Sequence, residues 1–128
     1  MDDSTRKIRR ELLTGTTSIA VLAMLVKSRE PLYGYQIGMR WINHEGETSE
    51  VNQGALYPVL RSLEKQELLT SEIIPSESGP PRKYYSPTAL GRKVFHEWCA
   101  EWSKTKDWLD SILEPKHGRG QRLPTRST

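Results

Sequence analysis

The fold of this chain is decided by a stretch that reads NQGALYPVLRSLEKQ, residues 52–66. Its large aliphatic residues recur at helical spacing and share one face, at positions Leu56, Val59, Leu60 and Leu63. The opposite face carries small, aromatic and basic residues, namely Gly54, Tyr57, Pro58, Arg61 and Lys65. A helix that buries its leucines and presents such residues outward is suited to approach DNA closely. The alternative is an ordinary amphipathic helix whose polar face is exposed to solvent and binds nothing. The acidic residues Glu64 and Glu67 on the same segment favour this alternative.

A proline inside this segment restricts where the helix begins. Pro58 has no N–H, and a proline is tolerated best in the first turn of a helix, where that N–H would have no partner. The sequence therefore predicts a helix start close to Gly54 or Ala55, or a kink at the proline. In either case, the amino end of the helix, with its partial positive charge, faces outward with these residues.

Two helical segments precede this stretch. Apolar residues at helical spacing predict a first helix over residues 6–28, which ends ahead of Pro31. Between Ile19 and Val26 this helix is apolar on almost every side, which indicates burial. Residues 33–43 place Ile37 and Trp41 four residues apart and predict a second, shorter helix. The polar residues 44–50 predict a loop between the second and third helices.

A hairpin and a long helix follow. Residues 68–75 predict one strand, residues 76–81 a turn, and residues 82–86 the returning strand. Strand alternation puts Arg82 and Tyr84 on one side and Lys83 and Tyr85 on the other, so one tyrosine should pack inward. Basic residues on such a hairpin suit contacts with a DNA backbone, although a merely solvated hairpin is the alternative.

The order of elements predicts a mainly α protein with a small β-hairpin: a winged helix-turn-helix plus a long C-terminal dimerisation helix. We expect the DNA-binding domain to span residues 6–86 and the dimerisation helix residues 87–114. Residues 1–5 and the basic segment 115–128 are expected to be disordered.

The last helix carries an apolar stripe that is too large to remain in water. Its main members are Val94, Phe95, Trp98, Trp102, Leu109 and Ile112. We expect a second copy of the chain to cover this stripe, helped by Ile8 and Leu12 of the first helix. Burial within one chain is the alternative. A further hypothesis is that Trp98 and Trp102 line a flat effector-binding slot at the dimer interface.

Composition limits the remaining possibilities. The chain has 128 residues, which is the length of one domain, and only 35% of them are apolar, so its core is modest. The net charge is +3, and four bases with no acid lie between residues 115 and 128. The remainder of the chain is therefore not globally basic. Any nucleic-acid binding must come from a local patch.

Catalysis, metal binding and a resident cofactor find no support in the sequence. The histidines His44, His96 and His117 are scattered, and Cys99 is the single cysteine. The longest apolar run has eight residues, against about 20 needed to cross a bilayer. No charged-then-apolar leader opens the chain, which favours a cytoplasmic protein.

Three segments resemble the PadR family of transcriptional regulators. They are LYGYQI at residues 32–37, GALYPVLRSLE at residues 54–64, and RKYY at residues 82–85 followed by Thr88 and Gly91. The resemblance covers roughly residues 11–114, in the order and spacing of the family. The chain is similar in size to the small members with a single C-terminal helix. The family usually has a glycine near the end of the third helix, where this chain has Gln66 and Glu67.

The resemblance implies a winged-helix dimer that represses promoters and releases a palindromic operator when a small aromatic or drug-like effector binds. The family positions at the DNA face are occupied by Tyr35, Gln53, Tyr57 and Arg61, and those of the wing by Arg82 and Lys83. Trp102 falls where some members place a tryptophan in the interface pocket. Gly54 and Lys65, from the helix pattern, complete the predicted DNA-binding set. A different hypothesis is a winged-helix protein-interaction module that dimerises without binding DNA.

Overall fold

The computed structural model describes residues 2–45 and 53–114 and confirms a mainly helical winged-helix fold with a small antiparallel sheet. Its seven elements are α1 (Asp3–Lys27), β1 (Leu32–Tyr33), α2 (Gly34–Glu45), α3 (Gln53–Lys65), β2 (Leu69–Ser76), β3 (Gly79–Pro87) and α4 (Ala89–Leu113). The predicted order of three helices, a hairpin and a long helix is thus confirmed. Helix α2 runs to Glu45, so the first two residues of the predicted loop at residues 44–50 are helical instead. The rest of that loop and the basic segment 115–128 lie outside the described residues.

Helix α1 begins earlier than the sequence predicted. The side chain of Asp2 accepts a hydrogen bond from the backbone N–H of Thr5 at 2.9 Å, which satisfies one free donor of the first turn. Residues 3–5 are therefore helical, whereas the sequence predicted disorder up to Thr5. The helix ends at Lys27, where Ser28 turns to an extended conformation ahead of Pro31.

The core forms where α1, α2 and α3 meet the sheet. Its completely or almost completely buried side chains are Val21, Leu22, Leu25, Ile37, Trp41, Leu56, Leu60, Leu63, Leu69, Tyr85 and Phe95. The predicted division of α3 into an inner and an outer face is confirmed, because Leu56, Leu60 and Leu63 are buried. Leucines spaced three and four residues apart lie on one side of a helix, so burying them leaves the opposite side free.

Helix α3 begins close to the predicted start at Gly54, but Pro58 lies beyond its first turn. The helix begins at Gln53, so the proline falls in its second turn and not in the first. Pro58 has no N–H to donate to the carbonyl four residues before it, and that carbonyl faces a gap in the helical hydrogen-bond ladder. The exposed position of Pro58 keeps water within reach of this gap.

The turn after α3 contains the one described non-glycine residue with a positive φ. Glu67 has a φ of 66°, the left-handed conformation in which helices often end on glycine. The N–H of Leu68 then donates to the carbonyl of Leu63, as in a helix C-cap. The turn retains the usual capping geometry, but this chain places a side chain at the position where such caps usually have glycine.

The sheet has three strands in the order β1-β3-β2, all antiparallel. The short β1 strand, which the sequence analysis missed, pairs Leu32 with Tyr85 and Tyr33 with Tyr84. The wing hairpin is longer than predicted, because β3 begins at Gly79 and includes Pro80 and Pro81 ahead of the predicted strand. The pairing slips between Ile74 and Ser76, and this bulge accommodates residues that have no N–H for the ladder.

Helix α4 begins two residues later than predicted, with Thr88 as its cap. The Thr88 hydroxyl accepts a hydrogen bond from the N–H of Gly91 at 2.9 Å and donates one to the carbonyl of Glu67 at 2.7 Å. Gly91 lies so close to the turn before β2 that a Cβ added there would meet the Leu68 carbonyl oxygen at 2.1 Å. The absence of a side chain at Gly91 therefore permits this close approach.

The described residues divide into two compact units within α4. The first unit runs to Phe95 and the second begins at His96. The predicted boundary lay ahead of the last helix, between residues 86 and 87. The beginning of α4 belongs to the first unit because Gly91 packs on Leu68 and Phe95 is buried beneath Lys27, whose ammonium lies 5.9 Å from the ring centre.

Candidate nucleic-acid interface

The outer face of α3 and the wing meet at a cleft of about 380 Å³. Four of the predicted DNA-binding residues line it, namely Tyr57, Arg61, Arg82 and Lys83. The remaining lining residues are Tyr33, Gly34, Pro81 and Tyr85. No carboxylate is among these lining residues, so the walls of the cleft combine aromatic rings with cationic groups. Such a surface favours an anion that also has apolar parts.

An aromatic stack supports the outer side of the wing. The ring of Tyr33 in β1 packs edge-on against Tyr84 in β3, with 5.2 Å between the ring centres, and lies 6.4 Å from the stacked ring of Tyr35. The guanidinium carbon of Arg82 lies 4.5 Å from the centre of the Tyr33 ring. A planar guanidinium over an aromatic face is attracted by the ring quadrupole. Arg82 is thus held in place with its hydrogen-bond donors still available.

The inner side of the wing is tied to α3 by a carboxylate. Glu64 accepts a hydrogen bond from the Ser71 hydroxyl and forms an ion pair with Lys83, with 3.3 Å between the carboxylate oxygen and the ammonium nitrogen. The Ser71 hydrogen bond, followed by the nearby Lys83 charge, lowers the pKa of Glu64. Lys83 also lies 5.5 Å from the ring centre of Tyr85, and burial raises the pKa of that phenol. The positive charge of Lys83 is therefore partly neutralised within the chain.

Tyr57 is fixed against the start of α2. A Cβ added to Gly34 would lie 2.5 Å from the Tyr57 hydroxyl oxygen and 2.9 Å from two of its ring carbons. The glycine therefore leaves room for the ring, whose side chain remains 42% exposed. This contact holds the Tyr57 hydroxyl at the cleft, where it is available as a donor.

Two other predicted DNA-binding residues, Tyr35 and Lys65, are not among the described residues that line the cleft. Tyr35 is 56% exposed and extends the aromatic stack, while Lys65 is exposed in the last turn of α3. The surroundings of Gln53 and Gly54 lie outside the described part of the structure, so their predicted DNA contacts stay predictions. The sequence analysis did not single out Tyr33, which supports Arg82, because β1 was not foreseen.

The second unit presents exposed apolar side chains along α4. The largest are Trp102, Trp108, Leu109, Ile112 and Leu113. Trp108, which is 62% exposed, was not in the predicted stripe. In the first unit, the predicted interface residues Ile8 and Leu12 are also exposed. Val94 and Trp98 are half-buried, and Phe95, at 7% exposure, packs instead in the core of its own chain.

The described ranges contain no group of histidine, cysteine or acidic side chains arranged to hold a metal ion. Within the same ranges, no helix is both long and apolar enough to span a membrane. Cys99 is exposed and forms no disulfide.

Comparison with known proteins identifies the family. The family described as "Transcriptional regulator PadR-like family" matches residues 21–97. A search of curated proteins found no match.

Solved structures extend this likeness to almost the whole chain. A PadR family transcriptional regulator from Eggerthella lenta is 37% identical, with a TM-score of 0.74 over 90% of this chain and 96% of that one. A PadR-like regulator from Bacillus cereus is 27% identical, with a TM-score of 0.67 over 85% and 99%. A transcriptional regulator from Clostridium thermocellum is 26% identical, with a TM-score of 0.69 over 79% and 93%.

The family match covers more than half of the sequence, and the structural matches share the arrangement of the helices and the wing. The members of this family are transcription factors and not enzymes. The chain belongs to the PadR-like family of DNA-binding transcriptional regulators.

Proposed function

We propose that this protein is a dimeric, sequence-specific repressor whose α3 enters the major groove while the wing follows the DNA backbone. The observation that carries this proposal is the cleft between α3 and the wing, whose described lining residues include Arg61, Arg82 and Lys83 but no carboxylate. The first 114 residues are not basic overall, so their net charge does not attract DNA. The local concentration of cations at the cleft supplies this attraction instead.

The proposed DNA contacts follow from the position of each side chain. Residues near the amino end of α3, Gln53 and Gly54, would approach base edges, where glutamine pairs well with adenine. Tyr35, Tyr57, Arg61, Lys65, Arg82 and Lys83 would contact the backbone or nearby bases. Lys83 would have to exchange its ion pair with Glu64 for a phosphate.

The proposed dimer rests on the exposed apolar face of α4. Trp102, which is 46% exposed, lies on the same side of the helix as Leu109 and Ile112. A continuous apolar face of this kind marks an interaction surface, and a second copy of the same helix would cover it symmetrically. Ile8 and Leu12 would add to the interface. A two-fold dimer presents two α3 helices to a palindromic operator.

The proposed effector is a planar aromatic or drug-like molecule bound between the α4 helices beside Trp98 and Trp102. The two indoles lie four residues apart on one helix face, and Trp102 has a large exposed surface against which a flat ligand would stack. Its binding would relieve repression by changing the spacing of the two α3 helices.

DNA binding is tested by fluorescence anisotropy with a labelled duplex from upstream of the protein's own reading frame. We expect affinity to fall steeply with salt and to be greatly reduced in Arg61→Ala, because phosphate contacts release counterions. Arg29→Ala removes the same charge from an exposed position outside the cleft and is the matched control. A protein-interaction module would show neither the salt dependence nor the effect of Arg61→Ala.

Dimerisation and effector binding have separate tests. Sedimentation at micromolar concentration should give a dimer, and Leu109→Arg should shift it towards monomer; a well-folded monomer of the unaltered chain would refute the dimer. A panel of planar aromatic drugs should change tryptophan fluorescence in the unaltered chain and in Trp108→Phe but not in Trp102→Ala. A panel without response in the unaltered chain would remove the effector from the proposal.

A further inference from the structure

We propose that the cleft between α3 and the wing is a clamp for a single phosphodiester, held jointly by Arg61 and Arg82, and that Arg61 reads no base. This inference deepens the proposed function and depends on it. It assigns a ligand class to the cleft and chooses between the two kinds of contact, guanine or phosphate, that an arginine on such a helix can make.

The position of Arg61 favours a phosphate. It lies in the third turn of α3, whereas base-reading residues of helix-turn-helix proteins lie mainly at the amino end of the recognition helix. Arg61 shares the cleft with Arg82 and Lys83 of β3, so it lies on the side of α3 that faces the wing. A ligand touching both elements must pass between helix and wing, as a strand backbone does.

The two guanidinium groups are the available cations of the cleft. Within the described ranges, neither Arg61 nor Arg82 forms a salt bridge, whereas Lys83 is paired with Glu64 at 3.3 Å. The stacking of Arg82 on Tyr33 restricts its motion without occupying its donors. A planar guanidinium matches the geometry of phosphate oxygens with two parallel hydrogen bonds.

The remaining walls also fit a phosphodiester. Tyr57, positioned by its contact with Gly34, brings a hydroxyl donor to the cleft. The exposed ring of Tyr57 offers apolar surface for the sugars beside a phosphate. Among the described residues, no acidic side chain lines the cleft. The nearby Glu64 carboxylate is paired with Lys83 at 3.3 Å, which offsets part of the repulsion that it would exert on a phosphate.

The experiment compares Arg61→Ala, Arg82→Ala and the double variant on two labelled duplexes, the upstream DNA and a scrambled sequence of equal length and composition. Each single variant should lose about ten- to a hundredfold in affinity, by the same factor on both duplexes. The double variant should reduce the slope of log K against log salt by about 0.9 for each bound copy, the value for one phosphate. Arg29→Ala is the matched charge control, and circular dichroism checks that each variant is folded.

A methylphosphonate scan gives an independent measurement. Replacing one charged phosphate at a time by this neutral group should reveal one position in each half-site where the unaltered chain loses affinity and the double variant does not. Loss on the upstream DNA alone in Arg61→Ala would identify a base contact and overturn the clamp. A slope change of about 1.8 per copy in the double variant would indicate two separate phosphates and would also overturn it.

These outcomes separate the two levels of the proposal. If the unaltered chain binds neither duplex, both the proposed function and the clamp are refuted. If it binds the upstream DNA selectively and the arginine variants match Arg29→Ala, the proposed function stands and only the clamp is refuted.

Discussion

Replacing Gly91 by alanine tests how closely α4 is required to approach the turn that follows α3. The added methyl group would lie 2.1 Å from the carbonyl oxygen of Leu68 and 3.0 Å from its carbonyl carbon. Contacts of a real Cβ with heavy atoms are essentially never shorter than 3.0 Å. The helix or the turn must therefore shift by nearly an ångström. The obstacle is backbone, so no rotamer change relieves the clash.

The magnitude follows from two opposing effects. Overpacking typically destabilises a protein by about 1–3 kcal/mol, and a backbone obstacle places Gly91→Ala at the upper end. Alanine recovers about 1 kcal/mol because it favours the helix more than glycine does. The net loss is about 2 kcal/mol, which corresponds to a decrease in Tm of about 6–10 °C for a chain of this size.

Gly15→Ala is the matched control, because Gly15 also lies inside a helix but has nothing within 4 Å of the added methyl group. We expect this variant to gain about 0.5–1 kcal/mol. Urea and thermal denaturation followed by circular dichroism, at one fixed protein concentration, would measure both variants. Equal stability of the Gly91→Ala variant and the unaltered chain, or shifts of both variants in the same direction, would refute the packing argument.

Three further predictions follow from the turn and the cleft. Gly34→Ala should displace the Tyr57 hydroxyl, because the new Cβ would lie 2.5 Å from its oxygen. DNA affinity should therefore fall while Tm changes little. Unchanged affinity with a lower Tm would contradict a role for Tyr57 at the cleft. Glu67→Gly should raise the free energy of unfolding by about 0.5–1 kcal/mol in urea denaturation. Glycine removes the cost of the positive φ of 66°, but it also increases the conformational entropy of the unfolded chain, which offsets part of the gain. A loss of stability would show that the contacts of the Glu67 side chain outweigh its backbone strain. The pKa of Glu64 is lowered in the folded state from a reference value of 4.5, so its stabilisation is present above that pH and is lost as the pH falls through the lower folded pKa. The acid loss of stability should therefore be shallower in Glu64→Gln than in Glu72→Gln. Glu72 is the control because it is an exposed carboxylate of β2, next to the Ser71 that binds Glu64. Identical pH profiles would refute this coupling.

Local patterns were sufficient to predict the helices and the division of α3. The leucine spacing in α3 indicated its buried face, because this periodicity belongs to a single segment. The alternation at Tyr84 and Tyr85 indicated that one of the two packs inward, but not which; the structure buries Tyr85. Pro58 was misleading, since its missing N–H favours the first turn but does not prevent a position in the second when water can reach the unpaired carbonyl.

Features that depend on distant parts of the chain could not be predicted in this way. Strand β1 has only two residues, and their partners Tyr84 and Tyr85 lie far along the sequence, so no local period marks it. The close approach of Gly91 to Leu68 is a tertiary contact that a glycine near a helix start does not reveal. Trp108 could have been identified from the sequence as a large apolar residue of the last helix. It was omitted because it lies beside, and not within, the apolar stripe that contains Trp102 and Leu109.

The position of β3 between β1 and β2 gives the wing two ends with different mechanical properties. Its root is clamped on both sides, because Tyr84 and Tyr85 pair with β1 and β2 at once. At the tip of the wing, β3 begins with two prolines, its pairing has a bulge, and β2 is its only partner strand. Insertions or deletions at residues 77–78 would leave the clamp intact, so a lineage could lengthen or shorten the reach of the tip without disturbing the way the root is joined to the entrance of α2.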